Sequence, residues 1–174
     1  YLYLKQHQNA IEYFNKALEF NKENSFAYNG LGSVYKELNK NDEAIECYRN
    51  AIKIKPDYLI AYDNLGGILS TTGKLGEAIH IFNKILELDP NYKYIIGKSI
   101  HTKMMLYDWN DLNKNINHLV ELLDKKERAI NPFPILSLID NPEQHKNCSE
   151  IFVADNFKSP EKKIKKYLKK ENDK

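Results

Sequence analysis

Residues 25–58 read SFAYNGLGSVYKELNKNDEAIECYRNAIKIKPDY, and residues 59–92 read LIAYDNLGGILSTTGKLGEAIHIFNKILELDPNY. The second stretch follows the first without a gap, and both are 34 residues long. Ten aligned positions are identical: Ala27/Ala61, Tyr28/Tyr62, Leu31/Leu65, Gly32/Gly66, Lys40/Lys74, Glu43/Glu77, Ala44/Ala78, Ile45/Ile79, Pro56/Pro90 and Tyr58/Tyr92. A fixed period of this length indicates an array of repeats. The chain is therefore built from repeated units rather than around one central core.

The apolar spacing within each stretch is that of two helices. In the first stretch, large and small apolar residues recur at helical intervals in two runs, one from Tyr28 and one from Ala44. Polar residues 39–42 separate the runs, and Asp42 is the predicted N-cap of the second helix. Proline ends the second run, because the residue before a proline is pushed out of the α region. Each repeat is thus predicted to be a helical hairpin.

Small residues at fixed places in both stretches predict close packing between the two helices of a hairpin. A glycine inside a helix costs about 1 kcal/mol relative to alanine, so its presence twice at one position needs a packing reason. The residues to which we assign a structural role here are Gly32, Ala44, Gly66 and Ala78 in the hairpins and Pro56 and Pro90 at their ends.

The pattern of a large residue, Leu-Gly, Tyr, then Ala, an aromatic residue, Ala and Pro resembles the tetratricopeptide repeat (TPR). The resemblance covers about half of the chain. It implies an all-α fold, namely a right-handed TPR α-solenoid of helical hairpins, followed here by a non-repeat C-terminal helical extension.

Extending the 34-residue frame in both directions divides the chain. Tyr1 falls at the place of Tyr35, inside a first helix, so we expect the sequence to be a fragment that begins within a repeat. Lys22 stands where the later repeats have proline. The predicted segments are a partial TPR at 1–24, TPRs at 25–58 and 59–92, a degenerate TPR at 93–126, a connector at 127–157 and a basic linker or tail at 158–174.

The fourth repeat departs from the pattern at both of its small positions. Ile100 stands in the place of the glycine and Leu112 in the place of the first alanine, so we expect its helices to separate or to cross at another angle. Asp108 is the predicted cap of its second helix, and Trp109 follows it in the turn.

The connector contains two prolines close together, Pro132 and Pro134, which predict an extended start to residues 130–139. Asp140, Asn141 and Pro142 then read as the beginning of a helix with proline at its first position.

The charges of the chain are unevenly distributed. The net charge is +2, but from Lys158 onward eight lysines face three acidic residues, which leaves −3 for residues 1–157. The bulk charge does not favour nucleic acid as a partner. We interpret the tail as a linker; the alternative, that Ile164, Tyr167 and Leu168 form a basic amphipathic helix for an anionic membrane or RNA, stays open.

Nothing in the sequence has the pattern of a catalytic, cofactor or metal site. The two cysteines, Cys47 and Cys148, lie far apart, which favours a reducing compartment and a cytoplasmic location. No apolar run reaches the length of a membrane span, and no signal peptide opens the chain. The five histidines form no ligand pair, and residues 65–68 read as hairpin packing rather than as a phosphate loop.

The candidate binding site is the concave groove of the array, which the first helix of each hairpin would line. We expect proteins or extended peptides as partners, while the oligomeric state is left open. The candidate groove residues are Asn29, Ser33, Lys36, Asp63, Asn64, Ser70, Lys98 and His101. The alternative, a solvated polar face, stays open for each of them.

Three stretches after the repeats carry a second resemblance: HTKMMLYDWNDL (101–112), AINPFPILSLIDNPEQ (129–144) and EIFVADNF (150–157). They resemble the connector of bacterial O-linked N-acetylglucosamine (O-GlcNAc) transferase-like proteins, the SPINDLY group, through Asp108–Trp109 and the segment 131–134. Asn110 departs from the serine of that family's turn.

The second resemblance implies a UDP-GlcNAc-binding catalytic domain that is absent from this chain. It also implies that Asn64 belongs to a ladder of asparagines that holds a peptide backbone, whereas Gly30 and Lys98 break that ladder. We therefore expect an interaction module of a protein O-GlcNAc transferase that itself binds no cofactor and catalyses no reaction. The alternative is a free-standing TPR adaptor with no link to glycosylation.

Overall fold

A computed structural model describes residues 2–156, except for the side chains of residues 2–4, 133, 134 and 137. These residues form nine α-helices: α1 (Leu2–Phe20), α2 (Ser25–Glu37), α3 (Asn41–Ile54), α4 (Leu59–Thr71), α5 (Leu75–Leu88), α6 (Ile95–Met105), α7 (Leu112–Asp124), α8 (Pro132–Leu138) and α9 (Pro142–Asn156). The chain forms two compact units, one ending at Asn110 and the other beginning at Asp111.

The two complete repeats fold into hairpins with the same internal bounds. Helices α4 and α5 begin and end 34 residues after α2 and α3, respectively. The predicted all-α solenoid of helical hairpins is therefore confirmed.

The turn inside each hairpin also recurs at the repeat period. Asn39, Gly73 and Tyr107 have φ values of 58°, 79° and 57°, which lie in the left-handed region. In each turn, the N–H of this residue donates to the carbonyl oxygen three residues earlier. The N–H of the following residue donates to the carbonyl oxygen five residues before it. This hydrogen-bond pair ends a helix and satisfies two of its last carbonyl groups. The 34-residue frame thus extends as far as Tyr107 in the first unit.

The turn after each second helix has the same geometry with or without proline. The N–H groups of Asn21, Lys55 and Asp89 donate to carbonyl oxygens four residues earlier, at 2.8–2.9 Å. The first of these turns makes the same hydrogen bond although Lys22 replaces the proline.

Aromatic rings lie directly against the helix glycines of the hairpins. A Cβ at Gly32 would come within 2.6 Å of the Tyr48 ring, and a Cβ at Gly66 would meet the Phe82 ring in the same way. Ala44, Tyr48 and the equivalent residues of the next hairpin are fully buried in one apolar core that continues to Ile95 on α6. The packing role predicted for the small residues is therefore visible in the first unit.

Two predicted helix caps are wrong. Helix α3 begins at Asn41, with Lys40 at the N-cap, so Asp42 lies in the first turn instead. Helix α7 begins at Leu112, and the Asp108 carboxylate accepts from the Asn110 N–H at 3.1 Å. The N-cap residue is Lys40 in α3 and Asp111 in α7, and neither side chain makes a capping hydrogen bond.

The expected extended stretch in the connector is wrong, since residues 132–138 form the short helix α8. Pro132 occupies the first helical position and Pro134 the third. The N–H groups of these positions have no partner within a helix, so two prolines fit there without breaking a hydrogen bond.

The predicted start of the last helix at Pro142 is confirmed. The Asn141 side chain accepts from the N–H groups of Glu143 and Gln144, at 2.9 and 3.4 Å. Within the second unit, the buried Cys148 thiol donates to the Ile130 carbonyl at 3.2 Å. The tail at 158–174 lies outside the described residues.

Candidate peptide-binding face of the first helices

Helices α2, α4 and α6 are the first helices of successive repeats, and together they carry all eight candidate groove residues. We call the surface formed by these residues the first-helix face. Side chains on it bond from one repeat to the next with an offset of 35 residues, one more than the repeat period. A residue on one first helix therefore contacts the residue that directly precedes its equivalent position on the previous first helix.

The first of these contacts is a pair of amides. The Asn64 Nδ2 group donates to Asn29 Oδ1 at 3.0 Å, and both side chains are half-buried. The bond uses one N–H of Asn64 and the carbonyl of Asn29. The Asn64 carbonyl and the Asn29 amino group remain for a ligand.

The second contact has the same geometry but is ionic. Lys98 Nζ forms an ion pair with the Asp63 carboxylate, and the two side chains are 34% and 25% exposed. Because the pair is only partly exposed, water and salt screen it less than a surface pair. Lys98 thus replaces an amide–amide contact with a charged one.

An aromatic ring explains why the amide series is not continued at Gly30. The Phe14 ring occupies the space in which a Cβ at Gly30 would lie. An asparagine at this place would collide with the ring. The gap predicted at Gly30 therefore has a packing cause.

Two serines of the set are engaged in packing contacts. Ser33 donates to the Asn29 carbonyl at 3.1 Å and accepts from the Tyr48 hydroxyl at 3.4 Å. Burial raises the pKa of Tyr48, so this hydroxyl stays protonated as a donor. Ser70 shares a hydrogen bond of 3.2 Å with Thr102 on α6.

Lys36 on α2 and His101 on α6 are exposed. Between them, Gly67 has open space around the position of its missing Cβ. The structure thus brings six of the candidates into contacts between helices, namely Asn29, Ser33, Asp63, Asn64, Ser70 and Lys98, and leaves Lys36 and His101 exposed.

Two contacts were missed from the sequence. Thr102 partners Ser70, and buried His7 bonds to Glu37 at 2.6 Å between α1 and α2. The two contacts join residues that are 32 and 30 positions apart. A comparison of positions exactly 34 residues apart does not detect such pairs.

The two cysteines are not reactive thiols. Burial raises the pKa of both Cys47 and Cys148 to about 11, so these thiols are poor nucleophiles at neutral pH. Among residues 2–156, no group of three His, Cys, Asp or Glu side chains is placed to hold a metal ion. No helix in the described part of the chain is long and apolar enough to cross a membrane.

Three further residues were given a structural role. Trp109, in the turn of the fourth repeat, is 53% exposed, and Pro132 in the connector begins α8. Pro134 lies in the same short helix. The part these residues play in the protein stays a prediction.

These features define a solenoid of helical hairpins with a polar ladder between its first helices. Family models described as TPR or tetratricopeptide repeats match residues 13–46, residues 32–73, and residues 1–24 together with 59–92. Residues 1–92 are thus covered, and the chain belongs to the tetratricopeptide-repeat proteins. No curated protein sequence matches it.

Solved structures share the fold. Two crystal structures of MamA match with TM-scores of 0.63 and 0.64, each at 22% identity over 72% of this chain, and over 69% and 74% of MamA. The first TPR of Spaghetti (RPAP3), bound to the HSP90 peptide SRMEEVD, matches with a TM-score of 0.56 at 23% identity, over 62% of this chain and 87% of that chain.

Proposed function

We propose that this chain is a protein–protein interaction module that binds an extended segment of a partner on its first-helix face. The observation that carries the proposal is the amide pair of Asn29 and Asn64 between successive first helices. Each amide both donates and accepts, and their remaining groups match the N–H and C=O of a peptide backbone. Such contacts bind a main chain without reading its side chains.

The fold supports this choice of ligand. TPR arrays are built from units that stack into an extended surface suited to long partners. The RPAP3 structure contains a bound peptide on the same fold. We propose a peptide or protein segment as the ligand here as well, with its sequence left open.

Peptide selection from a random library tests the proposal. Peptides selected on the wild-type chain should bind Asn64→Ala at least about tenfold more weakly. The change removes one hydrogen bond between amides and leaves its desolvated partner without a hydrogen bond. The matched control is Asn83→Ala, which makes the same change at an exposed position on the second helix α5. Equal losses in both variants, or none in Asn64→Ala, would contradict the proposal.

As a finer proposal, we assign the module to a SPINDLY-like protein O-GlcNAc transferase. The support is the sequence of Asp108–Trp109 in the fourth repeat and of residues 131–134 in the connector, and the assignment rests on that resemblance alone. In this reading the module presents acceptor proteins to a separate catalytic domain that binds UDP-GlcNAc. The alternative, a TPR adaptor outside glycosylation, has the same first-helix face.

The two readings differ in what the coding sequence after Lys174 specifies. A strand, a glycine-containing turn and a helix there would support the transferase, whereas a stop codon would support the adaptor. In both readings this chain alone neither transfers nor hydrolyses UDP-GlcNAc. Turnover by the purified chain above that of buffer would overturn both.

A further inference from the structure

A cleft in the first unit lies between the second helices α3 and α5, with α4 beneath it. It has a volume of about 440 Å³. Its floor is apolar and consists of buried Leu65 and Leu69 on α4, with Ile81 on α5. Arg49, Glu77 and His80 form its rim. This volume lies within the range of small-ligand pockets and suits one large side chain.

The preceding repeat has larger side chains at two of the equivalent positions. At the positions equivalent to Leu69 and Gly76, that repeat has Tyr35 and Asp42. Tyr35 packs against the apolar core of the first unit. By contrast, Leu69 is smaller, and nothing lies within 4 Å of where a Cβ of Gly76 would be. Two substitutions to smaller side chains thus coincide at one repeat.

The charge of the rim changes at the same repeat. The earlier positions hold Asn15 and three acidic residues, Asp42, Glu43 and Glu46. Their equivalents are Arg49, Gly76, Glu77 and His80, so only one carboxylate remains and a cation is gained.

Arg49 has donors to spare for a ligand. Its NH2 group pairs with Glu77 at 2.8 Å between α3 and α5, while its side chain is 58% exposed. A guanidinium has five N–H groups, and one carboxylate accepts from at most two of them in the parallel geometry. A second carboxylate can therefore bind beside Glu77, and the exposed His80 adds another donor.

We infer that this cleft is a second docking site, which takes a large apolar or aromatic side chain of a partner protein that is flanked by a carboxylate. The apolar group would fill the space above Leu65 and Leu69, and the carboxylate would bind Arg49. Its rim residues lie on the second helices α3 and α5, and its floor includes Leu65 and Leu69 on α4. None of these residues is a candidate groove residue, so the site can be tested separately from peptide binding on the first-helix face.

The small acid 3-phenylpropionate is a suitable probe, because it joins one ring to one carboxylate. Titrated against the full chain, it should shift the methyl NMR signals of Leu65, Leu69 and Ile81 saturably, with a millimolar Kd. Propionate, which lacks the ring, should cause no saturable shift. The neutral 3-phenylpropanol should bind about fivefold more weakly than the acid.

The preceding repeat supplies the replacement residues for two test variants. Leu69→Tyr places the residue of the preceding repeat in the cleft and should abolish the shifts. Arg49→Asn, again the residue of the preceding repeat, should remove the preference for the acid over the alcohol. Lys53→Asn removes the same charge one turn away on α3 and should change the Kd of the acid by less than about twofold.

Absence of saturable shifts in the wild-type chain would overturn the inference. Equal binding by a folded Leu69→Tyr would do the same. If Leu69→Tyr unfolds, the comparison of Arg49→Asn with Lys53→Asn decides, and equal effects of these two changes would overturn the carboxylate contact. None of these outcomes alters peptide binding on the first-helix face, so the two sites are tested separately.

Discussion

Gly32 leaves space that the ring of Tyr48 fills. Because Tyr48 is fully buried, its ring has no room to move, and Gly32→Ala should lower the free energy of unfolding by about 1–3 kcal/mol. Gly67→Ala makes the same change where the Cβ meets open space, and should be neutral or stabilising by up to about 1 kcal/mol. Urea unfolding of both variants checks this pair. Equal stabilities would mean that the glycine is not a packing residue.

Tyr107 adopts the left-handed conformation that Asn39 and Gly73 adopt in the other repeats, although its side chain is 82% exposed. Asparagine is accepted in this region far better than an aromatic residue. Tyr107→Asn should therefore raise the stability by about 1 kcal/mol. The change Tyr13→Asn, at another exposed tyrosine but inside α1, should stay within about 0.5 kcal/mol of wild type. A loss of stability in Tyr107→Asn would show that the ring makes a needed contact.

Residue types were read more reliably from the sequence than their exact roles. The small residues at 32, 44, 66 and 78 were assigned to packing; aromatic rings lie against the two glycines, and the two alanines are fully buried. The caps at Asp42 and Asp108 were wrong because any acidic residue near a helix start fits the pattern. Which one caps depends on backbone angles that residue type alone does not set.

At the scale of the elements, the Asn64–Asn29 and Lys98–Asp63 contacts join one first helix to the next. Lys98 and Asp63 are partly shielded from water, whereas Arg49 and Glu77 are each more than half exposed. A double-mutant cycle on the shielded pair should give a coupling of about 0.5–1.5 kcal/mol, and the exposed pair less than about 0.5 kcal/mol. Urea unfolding of Asp63→Asn, Lys98→Met and the double variant measures it. A coupling no larger than that of the exposed pair would mean that the Lys98–Asp63 ion pair adds nothing to helix stacking.

Helix α8 shows the limit of reading elements from proline content. Two prolines in three residues favoured an extended chain, yet both fit the first turn of a helix. The repeats were predictable because each pattern in the first copy could be checked against the second copy. The connector occurs once, so one ambiguous signal decided its interpretation.

At the scale of the whole molecule, stability should fall as the pH rises above 9. Burial raises the pKa of Cys47 and of Cys148 from 9.0 to about 11, and the pKa values of Tyr48 and Tyr92 are also raised. The folded chain therefore holds these protons more tightly than the unfolded chain. The stability that this contributes is complete below about pH 9 and is lost as the pH approaches 11.

Urea midpoints measured between pH 8 and 10.5 check this dependence. The Cys47→Ala, Cys148→Ala double variant should lose less stability over the same range, since two of the shifted groups are gone. A midpoint that does not change with pH would show that the groups are not buried in the folded protein.

The organisation of the chain followed from its period, but its function did not. The same 34-residue frame predicts hairpins whatever they bind, since the frame is set by core positions. Binding depends on the polar positions between them, where Gly30, Asn64 and Lys98 each differ.

The most direct test of the account is an NMR map of a selected peptide bound to the chain. We predict that the signals that shift belong to α2, α4 and α6, with Asn29 and Asn64 among the largest changes. A map in which the peptide shifts only α3, α5 or the second unit, and leaves Asn29 and Asn64 unchanged, would contradict the claim that the first-helix face is the binding site.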